Sequence, residues 1–165
     1  MSKSNLAKLK TVTVSLPFGL GSAEWEADST QSRAAWALYV ELMTRVAVQE
    51  LAIDAGLVRE VLNSLYTLFG TTREILREAG PNVGASRESV GGLAIAVLNQ
   101  GLRPFLTKWH PMLQVWEAQR PEKTSPKEHE QQWTEEPKLR QELSKLRAEL
   151  EVYAQALAKV AGVEV

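Results

Sequence analysis

Residues 139–160 read LRQELSKLRAELEVYAQALAKV, and their spacing decides the fold. Leu139, Leu143, Leu146, Leu150, Tyr153, Leu157 and Val160 follow one another at intervals of 4, 3, 4, 3, 4 and 3 residues. Such intervals return each side chain to one stripe of an α-helix. Lys145–Glu149 and Arg147–Glu151 flank the stripe at i,i+4. Glu135 and Glu136 suit the positive end of the helix dipole, and Gly162 sits where a terminating glycine belongs. The pattern predicts a helix over 137–161. Its apolar stripe needs cover, either from the rest of the chain or from a second chain in a coiled coil. Three heptads are marginal alone, so an intramolecular bundle is the preferred reading.

Upstream, residues 120–137 (RPEKTSPKEHEQQWTEEP) form a polar connection long enough to cross over one end of a bundle. Within it Ser125, Pro126 and Glu128 make a capping box, which predicts a short helical turn ending at Trp133, with the indole pinning the loop. Glu128, His129 and Glu130 read as a solvated stretch of that loop. Residues 87–119 predict a third helix, beginning after Ser86. Its LAIAVL run (93–98) is apolar all round, as in a helix buried on every side. Gly91, Gly92, Ala94, Ala96 and Gly101 are small and permit close approach. Pro104 removes the bond to the carbonyl of Gln100, and Pro111 that to Thr107, so a kink is expected.

Residues 57–79 predict a second helix with Val58, Val61, Leu62, Leu65, Leu68, Phe69, Thr72, Ile75 and Leu76 on its apolar face. Gly70 lies inside it, and Gly80-Pro81 stops it. A first helix, 29–51, starts at Asp28 or Ser29 and carries Trp36, Tyr39, Val40, Met43, Val46 and Ala47 at spacings of three and four. Glu41 and Arg45 lie on its opposite face. Before it, TVTVSL (11–16) alternates, with Val12, Val14 and Leu16 to one side. No second strand is read. The segment is expected either to lie extended along the helices or to pair with another chain. The resulting fold class is all-α: residues 1–23 as tail and extended arm, and 24–165 as a four-helix bundle with a Pro-kinked third helix and a long crossover before the last.

Composition narrows function more by exclusion than by signature. The 165 residues include 19 basic and 20 acidic side chains, a net charge of −1, with no basic block to favour nucleic acid. With no cysteine, thiolate metal sites, disulfides and cysteine nucleophiles are excluded. Neither histidine sits in a Glu-x-x-His pattern, and no G-x-S-x-G, complete G-x-G-x-x-G or Walker pattern is present. No catalytic residue, metal or cofactor is assigned. Lys3, Lys8 and Lys10 before TVTVSLPFGLG imitate a secretion signal, but Pro17 and the hydroxyl residues make a poor apolar helix, so a cytoplasmic location is expected.

The stretch NQGLRPFLTKWHPMLQVW (99–116) concentrates rare residues. On a helical wheel Leu102, Phe105, Leu106, Trp109, Leu113 and Trp116 form a buried face. Arg103, Lys108 and His110 remain as a basic edge beside Trp109, suited to a cation–π contact or an anion. The leading expectation is a non-enzymatic protein-interaction module, an adaptor or regulatory subunit with a protein partner or a second copy of itself. Its candidate contacts are Val12, Val14, Leu16, Arg103, Lys108, Trp109, His110 and Trp133. Two alternatives stand beside it. One is a helical effector whose third helix leaves the bundle to disturb membranes. The other is a regulator that binds a small ligand near the helix-three kink.

Overall fold

The computed structural model describes residues 10–45 and 55–164. The chain is mostly helical, with one small two-stranded sheet. Its elements are β1 (Lys10–Ser15), β2 (Ser22–Ala27), α1 (Ser29–Met43), α2 (Val58–Ala79), α3 (Val90–Ala96), α4 (Arg103–Glu117), α5 (Pro126–Gln131) and α6 (Glu136–Ala161). A 3-10 turn over Pro81–Gly84 precedes α3, and a π turn over Val97–Leu102 joins α3 to α4.

The α6 stripe is buried along its whole length, every one of its seven side chains included. Its cover comes from this chain, chiefly from α1 and β1, so the stripe is not free for a second chain. Capping follows the sequence closely. Asp28 Oδ1 accepts from the Gln31 amide at 2.8 Å to start α1. Ser125 and Glu128 exchange both bonds of the capping box at 3.2 Å. Gly80 at φ 85° ends α2, and Gly162 at φ 75° ends α6. Arg45 reaches Glu41 at 2.7 Å as the spacing requires, and extends to the Thr67 hydroxyl of α2 at 2.6 Å. The expected continuation of the first helix through Val46 and Ala47 to Leu51 lies outside the described residues.

Three expectations are corrected, and a fourth takes a more specific form. The N-terminal arm is not a lone strand: β1 pairs antiparallel with β2, with Val12 opposite Trp25 and Val14 opposite Ala23. Residues SAEWEA alternate Ala23 and Trp25 inward against Glu24 and Glu26 outward, so the hairpin lays one apolar face on the helices. The third helix starts at Val90 rather than after Ser86. Ser89 Oγ accepts from the Gly92 amide at 3.1 Å, and Gln31 of α1 accepts from the Val90 amide at 2.9 Å. That helix is not buried all round, because Ile95 is half exposed. Finally, the irregularity near Pro104 is a widened turn over Val97–Leu102. A proline without an N–H cannot close the normal ladder, and the π turn shifts the bonding to i,i+5, with the Arg103 amide donating to the Leu98 carbonyl. Pro111 lies inside α4 as expected. No helix among the described residues is long and apolar enough to cross a membrane.

Candidate functional site

Helices α2 and α4 run antiparallel: Arg59 at the start of α2 meets Glu117 at the end of α4, while Phe69 further along α2 meets Arg103 at the start of α4. Residues 59, 66, 70 and 73 recur at helical spacing and share one side of α2. Residues 103, 107 and 110 do the same on α4. Between these sides runs a groove of about 650 Å³. Phe69, Gly70 and Leu106 contribute its apolar surface, Arg73 and Arg103 one end, and Tyr66 and His110 the other. Gly70 leaves part of the α2 backbone bare, and a Cβ added there would meet nothing within 4 Å.

The two ends differ electrostatically. At one end, the Arg103 guanidinium lies 5.0 Å and that of Arg73 5.9 Å from the Phe69 ring centroid. Arg103 Nε also donates to Asn99 Oδ1 at 3.3 Å. Neither arginine forms an ion pair with a carboxylate among the described residues. At the other end the charges are matched. Arg59 forks onto both oxygens of Glu117, and its Nη1 donates to His110 Nδ1 at 2.7 Å. A ring nitrogen that accepts from a guanidinium belongs to neutral imidazole, with the proton on Nε2. Burial first, and the Arg59 charge second, hold the His110 pKa below its ordinary 6.5, with Glu117 partly opposing. Tyr66 meets the His110 ring edge-on at 5.8 Å and is 62% exposed.

The basic edge foreseen from Arg103, Lys108 and His110 is divided by the fold. Arg103 and His110 line the groove. Lys108 turns to α6, where its Nζ donates to Glu142 Oε1 at 2.5 Å and sits 4.6 Å from the Trp109 ring centroid. The Trp109 indole donates to the other Glu142 oxygen at 2.7 Å. The Lys108 bond, more than the indole, draws the Glu142 pKa below the usual carboxylate range against some desolvation. Trp109 is fully buried and meets buried Trp133 edge-on at 6.1 Å, so these two indoles are core. Trp133 does pin the α5 region, as its position suggested. Val14 is buried, and Val12 and Leu16 are half-buried against the same core.

The stretch read as solvated, Glu128-His129-Glu130, is helical, with His129 and Glu130 buried. The His129 ring lies parallel to that of Trp116 at 4.3 Å. His129 Nε2 donates to the Trp116 carbonyl at 2.6 Å, and the Trp116 indole donates to the His129 carbonyl at 2.8 Å. Glu130 Oε1 accepts from the Val58 amide at 2.7 Å, supplying from α5 the cap that Leu57 cannot give α2. Burial pushes the Glu130 pKa up, against the backbone bonds and Arg140 that favour its charge.

Among the groove residues, Tyr66 and Arg73 were not singled out in the sequence, and Phe69 and Gly70 were read only as parts of the second helix. Their signal was a glycine, open on its outer side, flanked at helical spacing by an aromatic residue and an arginine. No group of three or more acidic or histidine side chains among the described residues is placed to hold a metal ion. The chain matches no family model, no curated protein and no solved structure.

Proposed function

We propose that the chain is a non-enzymatic regulatory module, cytoplasmic in location, that binds a small ligand in the α2–α4 groove. In this reading α1, α2, the α3–α4 segment and α6 act as one four-helix bundle that holds the groove open. The observation that carries the reading is the groove itself. Its 650 Å³ falls within the roughly 300–1,000 Å³ of small-molecule sites. From Arg103 to His110 it extends about 10 Å at ~1.5 Å per residue. That is short against a patch of roughly 800 Å², about 28 Å on a side, that each partner buries in a stable protein interface. The groove adjoins the π turn, a kind of irregularity often found at functional sites. A ligand wedged between α2 and α4 acts on that turn through Arg103. The test is an amide NMR titration with phenylnaphthylamine, a neutral aromatic probe. Shifts at Tyr66, Gly70 and Thr107 that Gly70→Leu abolishes support the reading. Shifts confined to other parts of the molecule, or none, remove it.

One observation favours the adaptor reading, with self-association as its form. Trp36 is 49% exposed, stacks on Tyr39 at 5.9 Å, and is followed one turn later by exposed Val40. Tryptophan is among the residues enriched at the energetic hot spots of protein interfaces. Light scattering should then give a dimer that Trp36→Ser converts to a monomer. A wild-type monomer at every concentration removes this reading.

A further inference from the structure

We infer that the groove takes a small aromatic anion: a planar apolar body bearing one carboxylate, sulfonate or phosphate-type group. The inference rests on the groove being a ligand site and adds its chemistry. Arg73 and Arg103 both approach the ring of Phe69, at 5.9 and 5.0 Å, and neither has a carboxylate partner among the described residues. Two like charges over one ring repel each other, and the face of a single phenyl offsets only part of that. An anion set between them supplies the missing countercharge, and a guanidinium fork matches a carboxylate or phosphate oxygen pair. Asn99 already orients Arg103 through its Nε, leaving the terminal nitrogens for a ligand.

The rest of the lining selects the body of the ligand. Exposed Tyr66 offers a ring face for stacking, and bare Gly70 lets a flat group lie close to the α2 backbone. Thr107 supplies a hydroxyl beside it, whereas those of Thr67 and Thr71 are engaged by Arg45 and by backbone carbonyls of α2. Among the described residues Glu74 is the one carboxylate in the lining, against Arg73 and Arg103, so their sum is net positive. At the far end Arg59 is already neutralised by Glu117. The anionic group therefore belongs at the Arg73–Arg103 end and the aromatic body at the Tyr66 end.

The test compares two fluorescent probes of similar shape, anilinonaphthalene sulfonate, which is an anion, and neutral phenylnaphthylamine. The folded full chain should bind the sulfonate at one site and more tightly than the neutral probe. Arg73→Gln and Arg103→Gln should each weaken the sulfonate about tenfold and leave the neutral probe unchanged. Added salt should weaken only the sulfonate. Near-ultraviolet circular dichroism verifies that each variant is folded. The Arg73 side chain makes no hydrogen bond or ion pair among the described residues, so its variant carries the test if Arg103→Gln fails to fold. Equal affinity for both probes, with both blocked by Gly70→Leu, overturns the anion inference and leaves the groove as a ligand site. Binding that Gly70→Leu does not touch overturns both.

Discussion

The ring of Phe18, at the tip of the hairpin, occupies the space that a side chain on Gly101 would fill. Gly101 is buried in the π turn, and a Cβ built there would fall inside the Phe18 ring's contact distance. Phe18 holds this position at φ 55°, a conformation unusual for a non-glycine residue, with its amide donating to Glu149 of α6 at 2.6 Å. The hairpin, the π turn and α6 are thus fastened at one point.

The first prediction follows from that point. Gly101→Ala gains about 1 kcal/mol of helix propensity but forces overpacking that typically costs ~1–3 kcal/mol. The net effect should be destabilising in the native background. In a Phe18→Ala background the clash is gone, and the same substitution should stabilise. A double-mutant cycle in denaturant measures this sign reversal, and additive effects would show that the two residues are not coupled.

A second prediction concerns Glu130, which is buried and caps α2. Its pKa is raised in the folded chain above the ordinary 4.5, chiefly by burial. Below that ordinary value the carboxyl is protonated whether the chain is folded or not, and its ionisation costs no stability. As pH rises through 4.5 toward the folded value, the unfolded chain ionises first, and stability is lost. Glu130→Gln keeps an oxygen for the Val58 amide and cannot ionise. Its stability relative to the native chain should therefore rise between pH 4.5 and neutrality. Glu130→Ala loses the cap and should cost roughly 0.5–2 kcal/mol at either pH. Unfolding free energies of the three proteins across this range decide the matter.

These two sites also show what the sequence carries and what it withholds. The α6 stripe, the Asp28 cap and the Ser125–Glu128 box were legible because each depends on neighbours within one turn of helix. Strand β2 was hidden by its own composition: Glu24 and Glu26 surround Trp25, and the alternation means little until β1 is beside it. Glu130 was misread because its partner, the amide of Val58, is 72 residues away. The division of Arg103, Lys108 and His110 between two faces depends on which neighbour each meets, and no wheel of one helix contains Phe69 or Glu142.

At the groove, the His110–Arg59 bond sets a pH dependence of its own. His110 has a pKa below its ordinary 6.5 in the folded chain, from burial and from Arg59. Stability from this residue is complete above 6.5 and is lost as pH falls toward the folded value, because the unfolded chain takes up the proton first. His110→Asn keeps an acceptor near the position of Nδ1 and cannot titrate, so this acid-side loss should disappear. NMR titration of the ring should give a midpoint below 6.5, and a midpoint at or above it would contradict the assigned hydrogen bond. The Glu130 effect has the opposite sign, so the two are best separated in the Glu130→Gln background.

The last prediction concerns the lock between α4 and α5. Trp116 and His129 stack at 4.3 Å and exchange two hydrogen bonds, each ring nitrogen to the other's backbone carbonyl. The stack and the bonds can be separated. His129→Phe keeps a ring against the indole but removes one of the donors to the Trp116 carbonyl, which retains the Gln119 amide at 3.0 Å, a loss of about 0.5–1.5 kcal/mol. His129→Ala loses both and should cost more. The Trp116 indole bonds to the His129 backbone, which either substitution retains, so that contact acts as an internal control. The connection between α4 and α5 hangs on this pair, and amide exchange over residues 118–125 should quicken in His129→Ala before the rest of the molecule opens. If exchange rises equally everywhere, the pair stabilises the whole fold and does not act as a local lock.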